Sequence, residues 1–549
     1  MVPPFGVQAD SPQWGIEGQG RILACADSSP QGVDIPDARP TSAASESGAF
    51  RHTQASLHAG PAVFLLQLSQ GPQSSRRALL SGLAAAPLTL LAPGDAPAAP
   101  SQSQAIPADA QKFDVVVAGG GAAGCMAART AAKAGRRVLL VQALPMLGGT
   151  SAISSGWVRA CATKWHEVRG IHDSADAYRD DIIAYGRGSR NEKKAAMIAR
   201  EATVFVNDLI GLGVEFTDEE DRMNGGETLR VVKTKGAGGA LMKRLAEAVK
   251  ADPNITVQTG VRLEDVILTN GAVAGVRLER KGIRTVVRTP AVVLATGGFG
   301  RNQAMIDVFT PPWSQTGRIM DVGCRGDGLQ IATELGAGAL NLNIAMVCPT
   351  LEVTKGIFFS SAPLLMGGII VNEKGRRFTN EYVIYTQTNI DMLKQKACWE
   401  IVTRELHPVV EGMIEKGVAT ECATVEDLAR LIGCDPAGLR ADIEAHNAQT
   451  RMDPKDRRDP FGRTVYGKEL RPPFYALRIK PVMLETVGGF MIDEKCRVTT
   501  LLGRPVAAGL FGAGAAAFGE HFGVGYRSGE AYAYAGATGI TAGREAAAV

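Results

Sequence analysis

The sequence has no C-x-x-C pair. Its nine cysteines, Cys25, Cys125, Cys161, Cys324, Cys348, Cys398, Cys422, Cys434 and Cys496, are scattered. That excludes a thioredoxin-like motif, covalent c-type haem and the usual zinc spacings, so no metal site is expected. An odd count at low density also argues against a disulfide framework. Excess charge of one sign is equally lacking: 59 Lys+Arg face 56 Asp+Glu, a formal net charge of +3. No basic cluster is large enough for a nucleic-acid surface, so no nucleic-acid partner is expected. No segment holds 18 unbroken apolar residues. An integral membrane span is therefore not expected, and the mature chain should be soluble. Glycine is what the chain has in excess, 64 of 549 residues, against a usual usage of about 7%. It follows no collagen-like period, so the surplus should sit where the backbone needs close approach or positive φ. Hydrophobic residues make up 45%, enough for a sizeable core. The length allows three or four average domains, or fewer large ones.

Residues 1–74 are rich in Ser, Gly, Pro, Gln and Ala with little periodicity. They read as a disordered extension or as a start placed too far upstream. Residues 75–98 hold Arg76-Arg77, an uncharged run from Ala78 to Ala92, and Ala96-Pro97-Ala98. A twin-arginine pair, a short apolar stretch and an A-x-A site form a twin-arginine-type signal. Export to the periplasm, or to the thylakoid lumen in an alga, is expected. The alternative is a cytoplasmic protein whose linker carries two arginines.

Asp114-Val115-Val116-Val117-Ala118 is a β-branched apolar run that ends in Gly119-Gly120-Gly121-Ala122-Ala123-Gly124. Ala-rich helical sequence follows to Lys133, and Arg137–Val141 makes a second strand. This is a β-α-β unit of about 30 residues. In Gly119-x-Gly121-x-x-Gly124 the first glycine permits the tight turn. The second lets a pyrophosphate approach the backbone, and the third lets helix and strand pack closely. The helix N-terminus offers unpaired N–H groups to phosphates. The motif's position at a first β-α turn makes dinucleotide binding the reading. Where Asp or Glu should meet the ribose hydroxyls stands Gln142, which can hydrogen-bond a diol without charge assistance.

Further along, Asn191–Leu212 and Gly239–Lys250 show helical spacing. Thr256–Arg280 reads as a β-hairpin turning at Asn270-Gly271. Pro290–Ala295 reads as a strand, and Asp391–His446 as mostly helical with a cap at Thr424. Gly509–Val549 reads as strand, Gly-rich loop and long Ala-rich helix.

Several motifs occur in a fixed order: Gly119–Gly124, Gly148-Gly149-Thr150-Ser151, Ser154-Ser155-Gly156, Ala295-Thr296-Gly297-Gly298-Phe299-Gly300, Gly326-Asp327-Gly328, Asn372–Glu381 and Gly509–Gly514. From about residue 112 to 547 the chain resembles the FAD-dependent fumarate reductase and 3-ketosteroid dehydrogenase superfamily. The resemblance implies an α/β fold: a discontinuous Rossmann-like FAD-binding domain, residues 112–340 and 479–549, with an inserted α+β capping and catalytic domain, residues 341–478. It implies FAD as cofactor. Its contacts would fall on Gly119, Gly121, Ala122, Ala123 and Gly124, on Gln142 and Ala143, and on Gly148, Gly149, Thr150 and Ser151. They would continue at Ser154, Ser155, Gly156, Val261, Ala295, Thr296, Gly297, Asp327, Gly514, Ala515 and Gly529. The helix after Gly529 would point its N-terminus at the flavin and stabilise reduced-flavin charge.

Relatives acting on fumarate clamp two carboxylates with histidines and arginines. Here the corresponding positions are Cys348, in Cys348-Pro349-Thr350, Tyr385 after the Asn-Glu pair, and Glu485 before Thr486-Val487-Gly488-Gly489. Only Arg527 keeps a counterpart. Replacing cations by Cys, Tyr and Glu removes bidentate carboxylate chemistry. The ketosteroid branch carries tyrosines matching Tyr385 and Tyr526, and Tyr526-Arg527-Ser528-Gly529 resembles its Δ4 form. The resemblance assigns Tyr526 and the loop backbone to a substrate carbonyl. It assigns Tyr385, helped by Ser528, to moving the proton. Arg527 would supply the positive field a phenol needs near neutrality, or bind a substrate carboxylate. The function expected is desaturation or reduction of a C–C bond next to the carbonyl of a small-molecule substrate, with an unknown electron donor or acceptor. Two alternatives stay open: a fumarate reductase-like reductase of an unsaturated carboxylate, and a flavin-binding protein without catalysis. Gln142 and Ala515, where many relatives have Glu, point to the latter.

Overall fold

The computed structural model describes residues 106–186, 191–217, 229–382, 387–519, 521 and 526–549. The segments 1–74 and 75–98 and the candidate Tyr385 lie outside the described residues.

Four apolar residues, Val115–Ala118 (β1), are fully buried, as a central parallel strand requires. Helix α1 (Ala122–Lys133) and strand β2 (Val138–Gln142) follow. Helix α2 (Glu192–Gly211) starts where the Asn191 side chain accepts the Lys194 N–H. Next come α3 (Ala237–Ala251), β3 (Ile255–Thr259) and β4 (Ala291–Leu294). Strands β5 (Ala345–Glu352) and β6 (Phe474–Thr486) belong to a second sheet. Strand β7 (Leu510–Gly512) and helix α4 (Glu530–Ala547) come last.

The first sheet runs β7-β4-β1-β2-β3, all parallel. Chain order reverses beside β1, so the crevice beyond the ends of β1 and β4 is the topological switch point, where such sheets bind ligands. The glycine spacing works there as the motif requires. A Cβ on Gly119 would lie 2.1 Å from the Ala295 carbonyl oxygen, and one on Gly124 would lie 1.8 Å from that of Gly119. A Cβ on Gly121 would meet nothing closer than Ser151 Oγ at 3.6 Å, so this backbone is open to the crevice.

The second sheet is built on β6. It pairs antiparallel with β5, Cys398–Val402 and Thr420–Cys422, and Cys398–Val402 pairs with Ile369–Asn372. Ile369, Ile401, Leu428, Leu439 and Leu477 form a separate core there, while Met483, further along β6, is buried in the core of the parallel sheet. One strand thus enters both cores. The junction expected at residues 478 and 479 falls inside it.

One expectation is refined and one corrected. Asp391–His446 is mostly helical, and also contains the strands Cys398–Val402 and Thr420–Cys422 between its helices. Their apolar residues fit either period, and pairing with the distant β6 decides. Ile255–Thr259 joins the parallel sheet instead of the hairpin, which is Arg262–Thr269 and Ala272–Arg280 with a third strand, Ile283–Arg288. The turn does sit at Asn270 and Gly271, both at positive φ, as two-residue hairpin turns demand. Thr424 forms a reciprocal capping box with Asp427.

Candidate active site

A cavity of about 850 Å³ opens at the switch point and reaches into the second lobe. Of the residues expected to hold the cofactor, all line it except Gly124 and Gly148. Gly124 is consumed by packing against Gly119, and the Gly148 N–H bonds to the Gly120 carbonyl at 2.8 Å, tying two loops together.

The floor is held by short polar contacts. Ser151 Oγ accepts the Ala122 N–H at 3.2 Å, and Tyr532 donates to the Ser151 carbonyl at 2.5 Å. Thr150 Oγ1 accepts the Asp321 N–H at 3.1 Å and lies 3.2 Å from Cys324 Sγ. Burial pushes the Cys324 thiol up to about 11, so it stays protonated. Gln142 turns inward. Its Oε1 accepts the Gly120 N–H at 3.1 Å and its Nε2 donates to the Met146 carbonyl at 3.3 Å, so it clips the glycine-rich loop. Arg262, missed in the sequence, grips Asp327 with two hydrogen bonds of 2.9 and 2.5 Å on the cavity wall.

These residues fit FAD. Gly121 leaves backbone open at the first helix N-terminus, where a pyrophosphate binds. The N-cap of α4 is Gly529, which lines the cavity with no side chain capping it, leaving N–H groups for an anionic ring.

Tyr526 and Ser528 line the cavity. Their backbone is anchored from behind: Tyr185 donates to the Tyr526 carbonyl at 3.2 Å, and Arg159 Nε to that of Ser528 at 3.3 Å. Arg527 does not line it. Fully buried, it pairs with Asp181 at 2.9 Å and Glu530 at 3.3 Å, and its guanidinium lies 4.5 Å from the centre of the Tyr185 ring. Asp181 also pairs with Arg230, which holds Asp173. The Nη1 and Nε of Arg527 are met inside the protein, while its buried Nη2 has no hydrogen-bond partner among the described residues. Its own pKa is held up by Glu530 and Asp181 against the opposing effect of burial.

The remaining walls include Met346, Cys348, Phe358, Met366, Leu484, Glu485 and His407. Burial pushes the Cys348 thiol far up and the Glu485 carboxyl up to about 8. Lys233 also lines the cavity, its ammonium 5.0 Å from the centre of the Trp157 ring. Sequence reasoning noticed Cys348 and Glu485 only as replacements of the relatives' carboxylate-clamping residues. Nothing local in the sequence shows that Lys233, Arg262 and His407 converge on one cavity.

A parallel sheet with an open glycine loop at its switch point, under a second lobe that shares the cavity, defines a dinucleotide-dependent oxidoreductase. The chain belongs to the FAD binding domain family, whose profile matches residues 114–531. Its cofactor is FAD. It is 27% identical over 427 residues to NADH:fumarate oxidoreductase of Klebsiella pneumoniae (strain 342), covering 75% of this chain but 45% of that protein. The chain thus spans less than half of that relative's length. The structure of the open conformation of a flavocytochrome c3 fumarate reductase matches with TM-score 0.68 and 28% identity, over 80% of this chain and 78% of that one. The 3-ketosteroid-Δ4-(5α)-dehydrogenase from Rhodococcus jostii RHA1, in complex with 4-androstene-3,17-dione, shares the fold with TM-score 0.62 and 23% identity, over 80% and 97%.

Proposed function

We propose that the protein makes or removes a C–C double bond next to the carbonyl of a substrate that carries no pair of carboxylates, in the manner of a ketosteroid dehydrogenase. One observation carries this reading. Among the described residues, the cap end of the cavity presents Met346, Cys348, Phe358, Met366, Leu484 and Glu485 beside Ser360, Ser361 and His407, and no arginine. A dicarboxylate needs cations there, because a desolvated carboxylate without a partner is costly. Bound FAD supplies the hydride acceptor or donor. Tyr526 donates a hydrogen bond to the carbonyl oxygen, where negative charge grows as the neighbouring carbon loses its proton in desaturation, or as hydride reaches the next carbon in reduction. Tyr385, assisted by Ser528, moves that proton. Arg527 holds the Tyr526–Gly529 loop in place through Asp181 and Glu530. Turnover also needs an external electron donor or acceptor, and the segment 75–98 acts as an export signal.

A second reading, reduction of an unsaturated carboxylate, is favoured by the 28% identity to the flavocytochrome c3 fumarate reductase. Anaerobic flavin spectroscopy separates the two. Saturated cyclic ketones should bleach the oxidised flavin, or cyclic enones reoxidise the reduced one, while succinate and fumarate do neither. Reoxidation by fumarate and by no enone would reverse the order. A yellow protein that responds to none of them is a flavin binder without catalysis. Tyr526→Phe should slow single-turnover flavin reduction by at least about tenfold with FAD retained, the loss of one donor to a developing oxyanion.

A further inference from the structure

Strand β6 ends inside the cavity: Leu484, Glu485 and Thr486 all line it, and Glu485 faces Met346 across the β5–β6 ladder. Thr486 is spent on structure, its Oγ1 accepting the Phe299 N–H at 3.1 Å. The Glu485 carboxyl makes no hydrogen bond or ion pair with any described residue, and the exposure it keeps is to the cavity. Three other buried carboxylates are paired, Glu381 with Arg377 and Arg463, Asp173 with Arg230, Glu530 with Arg527; Glu400 is unpaired as well, but it does not line the cavity. An unpaired carboxyl in an apolar wall is costly to keep, and a ligand in the cavity can supply the missing partner. Burial favours its protonated form, with no opposing cation. Cys324, its titratable neighbour, remains a thiol, as does Cys348 on β5.

We propose that Glu485 is a specificity-determining residue. As a carboxylic acid it donates its O–H to an uncharged oxygen of the substrate, a ketone or hydroxyl distinct from the carbonyl that Tyr526 holds, and it turns carboxylates away. A carboxylate placed there would leave a negative charge uncompensated among Met346, Phe358 and Leu484. This rests on the function proposed above and adds to it the chemistry of a second oxygen on the substrate.

The test uses the FAD-loaded full chain and three probes: a steroid enone with a second ketone at its far end, the same enone without it, and fumarate. Binding is read from perturbation of the visible flavin spectrum. Wild type should bind the diketone about tenfold tighter than the monoketone at pH 7, the gain of one buried hydrogen bond from a neutral carboxylic acid. Glu485→Leu should erase that preference and Glu485→Gln should keep most of it. Between pH 7 and 9.5 the preference should fall in wild type and stay level in Glu485→Gln. Asp321, Cys324, Cys348, His407 and Tyr526 are common to both proteins, so their titrations cancel. An unchanged preference in Glu485→Leu, with enone chemistry intact, overturns the assignment of Glu485 alone. If enones fail and fumarate reacts, the function proposed above falls. The Glu485 assignment then survives only if fumarate binds Glu485→Gln more tightly than wild type, and falls if it does not.

Discussion

Arg527 Nη1 lies 2.9 Å from Asp181 and Nε 3.3 Å from Glu530, all behind the cavity wall. A cation beside a glycine-rich loop can serve a substrate or hold the loop, and its partners decide which. Arg527→Met would leave the buried Glu530 without its arginine, while Asp181 keeps Arg230, a loss of about 3–5 kcal/mol for a broken buried pair. The expected result is a markedly lower melting temperature and weaker FAD retention. A raised KM at unchanged melting temperature would instead make Arg527 a substrate ligand. The sequence shows the arginine but not its role, because Asp181 is 346 residues away in the chain. Glu400 is the opposite case. Both its carboxyl oxygens are buried without partners, and burial pushes it up to about 8 from an ordinary 4.5. Between those values the unfolded chain releases the proton while the fold keeps it. Stability therefore falls as pH rises from 4.5 to 8 and levels off above. By pH 7 the cost is about 3 kcal/mol. Glu400→Gln carries no such proton. Its melting temperature should match or trail wild type near pH 4.5 and exceed it at pH 8. Parallel melting curves across that range would rule the account out.

Helices α1 and α4 cross at backbone contact. A Cβ on Gly539 would lie 2.4 Å from the Ala123 carbonyl oxygen, and one on Gly543 equally close to that of Ala127. This crossing sets where the N-terminus of α4, at Gly529, meets the cavity. Gly539→Leu must therefore push the helices apart, an overpacking change that costs about 1–3 kcal/mol or more. Flavin should be lost on gel filtration and the melting temperature should drop, with Gly539→Ala intermediate. Full flavin retention in Gly539→Leu would show that the crossing does not position the site. Elements of this kind differ in how far the sequence reveals them. The β1-α1-β2 unit is legible because its glycines, apolar run and helix lie within one short stretch, and each has a local reason. Cys398–Val402 is not, because Ile401 becomes a strand residue by pairing with Ala476. The floor of the site was readable as ordered motifs. Its far wall was not, since Met346, His407 and Glu485 converge only through β5, β6 and the second lobe.

The two lobes share more than a cavity. Strand β6 carries Leu477 in one core and Met483 in the other, so neither core can open fully without disturbing the strand that completes its neighbour. Cofactor binding at the switch point should then stabilise residues well beyond those it touches. A ligand that binds only the folded protein adds RT ln(1 + [L]/Kd), about 2.7 kcal/mol at a hundredfold excess over Kd. Amides that exchange only by global unfolding slow by the same factor, about a hundredfold. Hydrogen exchange with and without FAD reads this directly. Val115–Ala118 should slow because β1 leads into the cofactor loop. Cys398–Val402, paired with β6 in the second lobe, should slow by the same factor if the chain unfolds as one unit. Slowing confined to the parallel sheet would mean that β6 yields between Ile479 and Met483 and that the second lobe opens by itself.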